Sequence, residues 1–293
     1  MNPECRLTCL KRGWRNRRKV RKRFLSQVQR TAVLSPNLLN AASYSDVAFG
    51  DIPFRYASVP AIVRVRRDVS MSRIAFEMRD QMDDMSEADF EDTMGLSKSE
   101  FRDYLRTAAD QEDKCLAQEG EPAPNFAAHT LNAEGSISSG LLDVSDLRGA
   151  PVSLIFGCYT CPVFRRQSDR MKQLIEHYGG RVQFVFVYVL EAHPTDGWNT
   201  DSNRAAGVMY AQTINLEDRA KVANDWRSAY EFENPVVLDW PDNRINAEYA
   251  GEPERLYVLD GDGIVTFKSE QGPYYDSHLE DWAAALENVV RSN

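Results

Sequence analysis

For its 293 residues the chain has little histidine and little cysteine, four of the first and five of the second. The histidines (His129, His177, His193 and His278) are dispersed and share no ligand spacing, so no metal centre is expected. An odd number of cysteines without regular spacing excludes the disulfide framework of a small extracellular fold and points to a reducing compartment. No apolar run approaches the ~20 residues that a membrane-crossing helix needs, so no transmembrane anchor is expected. The N-terminus also lacks the apolar core of a secretory signal. A cytoplasmic protein is the expectation, although an Arg-rich, acid-poor N-terminus also has the composition of an organellar targeting peptide. There is no Gly-x-Gly-x-x-Gly run, no phosphate loop and no convincing Ser/His/Asp arrangement, so nucleotide binding and serine hydrolysis have no candidate.

Charge is present but uneven. Residues 1–30 hold eleven Lys and Arg against the single acid Glu4. From totals of 35 basic and 44 acidic residues, this leaves 24 and 43 in the rest, a net of −19. Such a body repels polyanions, so any contact with RNA or a membrane surface would fall to residues 11–23 of the arm. The plainer reading of residues 1–45 is a flexible, solubilising arm. Residues 46–118 form an acidic, mostly helical accessory region. Ser86-Glu87-Ala88-Asp89 and Ser97-Lys98-Ser99-Glu100 resemble capping boxes, with Gly95 between the two helices they would start. The acids at 80–92 lack calcium-loop spacing and read as a solvated helix face. Glu119-Gly120-Glu121-Pro122-Ala123-Pro124 marks the boundary to a domain at 119–293.

That domain carries the chain's one chemical motif, Phe156-Gly157-Cys158-Tyr159-Thr160-Cys161-Pro162. A buried strand is predicted at 152–156 and a helix at about 161–178, with Pro162 in its first turn and Gly179-Gly180 at its end. Two thiols therefore sit at a strand-to-helix junction, where free N–H groups and the helix dipole favour a thiolate. The remaining order is a hairpin near 126–131, a strand at 182–190, a helix at 216–230, a strand at 235–239, a hairpin at 255–260 and 264–268, and a closing helix at 279–290. This order resembles the thioredoxin plan: an α/β fold with a central mixed sheet flanked by helices, extended here by a helical or partly disordered N-terminal segment. Pro253 precedes the late hairpin, at the place where such proteins carry a cis-proline facing the cysteines.

Four ordered segments resemble the iodothyronine deiodinases more specifically. They are the cysteine motif itself, Glu191-Ala192-His193-Pro194-Thr195-Asp196-Gly197-Trp198, Leu216-Glu217-Asp218-Arg219 and Pro253-Glu254-Arg255-Leu256-Tyr257. The resemblance places Cys161 at that family's selenocysteine position. It departs at Tyr159, where a cysteine is common, and at Thr213, where a second histidine is common.

The resemblance implies that a Cys161 thiolate attacks aryl-bound iodine, and that Cys158 then forms a disulfide with it. An external thiol reductant (thioredoxin, glutathione or a similar dithiol) would restore both, with no bound cofactor. In thioredoxin-type exchange the first cysteine attacks instead, which would be Cys158. His193 would hold a phenol or move a proton, and Glu191 would orient it or relay protons. Arg255 would clamp a substrate carboxylate, with Trp198, Pro253 and Thr160 lining the substrate. Two rival readings keep the residues but change the function: a thiol peroxidase or disulfide reductase, and a non-enzymatic redox-sensing interaction protein. A small-molecule substrate, a reductant protein and a homodimer complete the expected partners.

Overall fold

Residues 85–272 and 278–292 are described in a computed structural model; the basic arm and the first part of the acidic region lie outside them. Two capped helices come first, α1 (Glu87–Met94) and α2 (Lys98–Lys114). The Ser86 side chain accepts from the Asp89 N–H, Gly95 ends α1 in the left-handed region at φ 72°, and Ser97 with Glu100 forms a full capping box. β1 (Ala127–Leu131) and β2 (Ile137–Asp143) pair as an antiparallel hairpin, and a 3-10 turn, Val144–Leu147, leads on. Then follow β3 (Val152–Gly157), α3 (Pro162–Tyr178), β4 (Gln183–Tyr188), α4 (Asp201–Ala206) and α5 (Leu216–Tyr230). The chain continues as β5 (Val236–Leu238), α6 (Arg244–Tyr249), β6 (Arg255–Leu259), β7 (Val265–Lys268) and α7 (His278–Ser292).

The strands form one mixed sheet in the order β2-β1-β5-β4-β3-β6-β7. β3 runs parallel to β4 and antiparallel to β6, and all six of its residues are buried. This explains its unbroken apolar sequence, since a central strand covered on both faces has no polar side to present. Helix α7 packs on β6 and α3, while α5 packs on β5. Phe164 of α3 stacks on Trp226 of α5 at 5.4 Å, and Trp226 meets Phe186 of β4 at 4.9 Å. Trp282 of α7 reaches across to donate to the Ser153 hydroxyl at 2.9 Å. This is the thioredoxin-like fold that the element order implies.

Two differences from the sequence reading are local. The six-residue helices α4 and α6 are too short to carry a 3.6-residue period and were not anticipated. Gly179 does end α3, but in a right-handed conformation at φ −57° rather than the left-handed one usual for a glycine stop.

Candidate active site

The sheet places the cysteine turn at the carboxyl ends of β3 and β4, the edge where open α/β folds collect ligand-facing groups. Gly157 closes β3, and nothing larger fits there: an added Cβ would lie 2.5 Å from the Phe164 ring. Cys161 is the N-cap of α3, and its amide donates to the Cys158 carbonyl at 3.3 Å. Both cysteines are buried and reduced. The Cys161 side chain makes no capping hydrogen bond, but the nearby amides of Val163 and Phe164 favour its thiolate. The amide of Ala192 donates to Cys158 Sγ at 3.2 Å.

Electrostatics here differ from the expectation of an acidic thiol. Burial pushes the Cys161 thiol up to about 12, and the Glu254 carboxylate adds to this; the two amides and Arg165 pull it back only in part. Cys158 is driven well above its ordinary range, first by burial and then by Glu191. The physical reason is that a dehydrated sulfur loses more than a helix start returns.

Glu191 lies behind the turn as a hub. Its Oε2 accepts from the Thr160 amide at 3.0 Å and the Thr160 hydroxyl at 2.7 Å, while Oε1 accepts from the Tyr188 hydroxyl at 2.6 Å. Tyr188 in turn accepts the Tyr159 amide at 2.9 Å. Burial raises the Glu191 pKa against these donors. Glu191 therefore holds the cysteine turn, and its link to His193 runs through Thr160. Thr160 is fully buried in this bridge, which differs from its expected place against substrate.

His193 stands half-buried at the mouth of this network. Its Nδ1 pairs with the Trp198 carbonyl at 3.1 Å, and a carbonyl only accepts, so Nδ1 carries the proton. Burial depresses the imidazole to about 4. The ring is thus neutral at physiological pH, with Nε2 an acceptor. Trp198 packs edge-on to His193 at 4.5 Å and to Tyr104 at 5.1 Å, and its indole N–H donates to the Met94 carbonyl at 2.7 Å. The wall expected of Trp198 is therefore half given over to helices α1 and α2.

The Glu252–Pro253 peptide is cis. Arg255, expected as a carboxylate clamp, is already occupied. Its guanidinium is buried, bonded to the Ser269 and Ala250 carbonyls, and paired with Glu112 of α2 at 2.5 Å. Lys268 holds the other Glu112 oxygen at 2.8 Å. Burial raises neighbouring Glu252 to about 7.

Sequence reasoning missed several residues that complete the site. Asn203 of α4 is fully buried and donates to the Thr160 carbonyl at 2.8 Å. Arg219 is buried and donates to Thr213 Oγ1 at 3.1 Å and to the Asp239 and Trp240 carbonyls. Arg165, one turn into α3, donates to the Tyr159 carbonyl at 2.6 Å. Two signals were available: Arg165 and Arg219 lie on the apolar faces of their helices, and Arg219 ends the Leu216–Arg219 segment of the resemblance.

Among known proteins, the family model for iodothyronine deiodinase matches residues 55–290. Thyroxine 5-deiodinase of Ovis aries is 34% identical over 170 residues, covering 57% of this chain and 55% of the sheep protein. The Homo sapiens protein of the same name is 32% identical over 168 residues, covering 57% and 53%. The chain spans about half the length of the curated relatives it matches. Among solved structures, a thiol:disulfide interchange protein of the thioredoxin family from Chlorobium tepidum superposes with a TM-score of 0.39 at 17% identity, covering 59% of this chain and 98% of that one.

Proposed function

This chain belongs to the iodothyronine deiodinase family, and from that premise we propose that it is a thiol-dependent oxidoreductase in which Cys161 attacks and Cys158 resolves. The observation that carries the reading is the seating of the two sulfurs. Cys161 occupies the N-cap position of α3, where the helix-start amides and Arg165 work against burial and Glu254, while Cys158 lies one turn earlier with Glu191 opposing its ionisation. An anion is better received at Cys161 than at Cys158.

The substrate class is an iodinated aromatic. The Cys161 sulfur bonds to iodine as the carbon–iodine bond breaks, and the ring carbon keeps the electron pair. The proton lost from Cys161 returns at that carbon. Cys158 then displaces iodide from the sulfenyl iodide, losing its own proton and closing a Cys158–Cys161 disulfide. An external dithiol reduces this bond, so the net change is one aryl iodide and one dithiol becoming arene, iodide, a proton and a disulfide. His193, neutral with Nε2 as acceptor, takes the hydrogen bond of a substrate phenol. Glu191 and Thr160 act by holding the turn and the His193 backbone.

A second reading is favoured by one feature, the internal thiol Cys158 within the same turn. A peroxide would oxidise Cys161 to a sulfenic acid with loss of water or alcohol, and Cys158 would condense with it, releasing water.

The test is dithiol-driven iodide release from iodinated tyrosines and thyronines, with peroxide consumption in parallel, on wild type, Cys161→Ser, Cys158→Ser and His193→Ala. Release abolished by Cys161→Ser and weakened by His193→Ala supports the dehalogenase. Peroxide consumption alone, lost with Cys161→Ser, makes it a peroxidase. Full turnover in Cys161→Ser overturns both.

A further inference from the structure

Arg165 is placed where a cation is costly. It lies in the first turns of α3, where the helix dipole disfavours positive charge, and it is only 7% exposed. A buried guanidinium ordinarily finds a carboxylate. Among the described residues its hydrogen-bond partner is neutral, the Tyr159 carbonyl at 2.6 Å, with the Tyr230 hydroxyl close by. Arg219 and Arg255 show how this chain otherwise treats a buried arginine. Arg219 spends its donors on four oxygens, and Arg255 has Glu112.

The course of the side chain shows what it faces. The Arg165 amide donates to the Cys161 carbonyl at 3.2 Å, one helical turn back. The guanidinium reaches further back, to the carbonyl of Tyr159, two residues before Cys161. Helical side chains lean towards the N-terminus, and this one runs back past Cys161 to Tyr159. It is close enough to act on both the Cys161 thiol and the His193 imidazole.

We propose that Arg165 is the counter-ion of the Cys161 thiolate, and that it selects Cys161 over Cys158 as the attacking sulfur. The inference rests on the reading of Cys161 as nucleophile and supplies its missing charge. Five other groups bear on the pair, and a second cation, Arg219, acts on Cys158 rather than Cys161. Glu254, at the start of β6, opposes ionisation of Cys161, and Glu191 opposes that of Cys158. His193 is neutral, and Tyr230 of α5 and Asp169 of α3 lie near the guanidinium. Arg165 is the one cation acting on Cys161 among these groups, and the positive end of α3 adds to it. When the thiolate forms, the buried cation gains the anion it lacks, and neither charge is left alone in a dry site.

The test is alkylation of the reduced protein by N-ethylmaleimide from pH 7 to 9, with peptide mapping of Cys161 against Cys158, in wild type, Arg165→Gln and Arg165→Lys. In wild type Cys161 is expected to react first. Arg165→Gln should slow alkylation at Cys161 at least fivefold at each pH and lower the Cys161:Cys158 ratio, with Arg165→Lys between. General loosening would instead speed both cysteines together, so the ratio separates charge from damage. An unchanged ratio and unchanged rate in Arg165→Lys and in folded Arg165→Gln overturn the proposal. That outcome leaves the nucleophile assignment standing, because the assignment fails only if Cys161→Ser keeps turnover.

Discussion

The amide of His193 donates to the hydroxyl of Thr160 at 3.1 Å, one of several bonds that tie the loop after β4 to the cysteine turn. The same hydroxyl donates to Glu191 at 2.7 Å. One buried oxygen therefore links the two halves of the site. Thr160→Val keeps the shape and removes both bonds. Each buried group left unsatisfied costs about 1–3 kcal/mol, so the variant should lose several degrees of thermal stability and most of its turnover. Thr160→Ser should keep both. Equal melting temperatures and rates for the Val and Ser variants would show that the bridge is idle.

Arg255 is expected to behave as a strut. It is buried against Glu112, and removing one partner of such a pair costs about 3–5 kcal/mol because the other charge is stranded. Arg255→Met should therefore lower the denaturant midpoint strongly, and Glu112→Gln should do so in the same direction. Comparing KM for substrates with and without a carboxylate separates the two roles. A strut shifts both alike, whereas a selective rise for the carboxylated substrate would restore the clamp that the motif first suggested.

Helices α1 and α2 should matter to His193 through Trp198. Trp198→Phe loses the bond from the indole to the Met94 carbonyl, at a cost of about 1 kcal/mol. Phe101 is buried and meets Trp198 edge-on at 5.8 Å, so Phe101→Ala should cost about 3–5 kcal/mol. If the helices set the histidine, both variants raise KM for phenolic substrates more than they lower kcat. A fall in stability with unchanged KM would reduce the helices to plain packing.

Much of this site could be read from local signals. Ser97 and Glu100 mark a helix start, Pro162 marks another, and the unbroken apolar run at β3 marks a strand covered on both faces. What could not be read is long-range. Trp198 finds Met94 across 104 positions and Arg255 finds Glu112 across 143, and no periodicity encodes either partner. The thiol pKa shows the same divide. The amides at a helix start are a local feature that a motif reveals, while the degree of drying around Cys161 depends on the whole fold. Here the non-local effect is the larger. Arg255 shows the same divide: its motif is intact, but Glu112, on a helix outside the motif, pairs with it.

Burial lowers the His193 pKa to about 4 from an ordinary 6.5, which sets the sign of a pH effect on stability. Between those two values the unfolded chain binds a proton that the folded chain refuses. Stability is therefore complete above about pH 7 and falls as pH drops towards 4, with a full loss of at most about 3 kcal/mol. At pH 5 the expected loss from this group is about 2 kcal/mol. His193→Gln cannot titrate, so its stability should fall less over the same interval. Denaturant unfolding of both proteins at pH 7 and pH 5 measures the difference. The gap between wild type and variant should move by about 2 kcal/mol against wild type on acidification. Parallel lines would mean that the imidazole is charged or solvated in the folded state, and Nε2 could not then serve as the acceptor for a phenol.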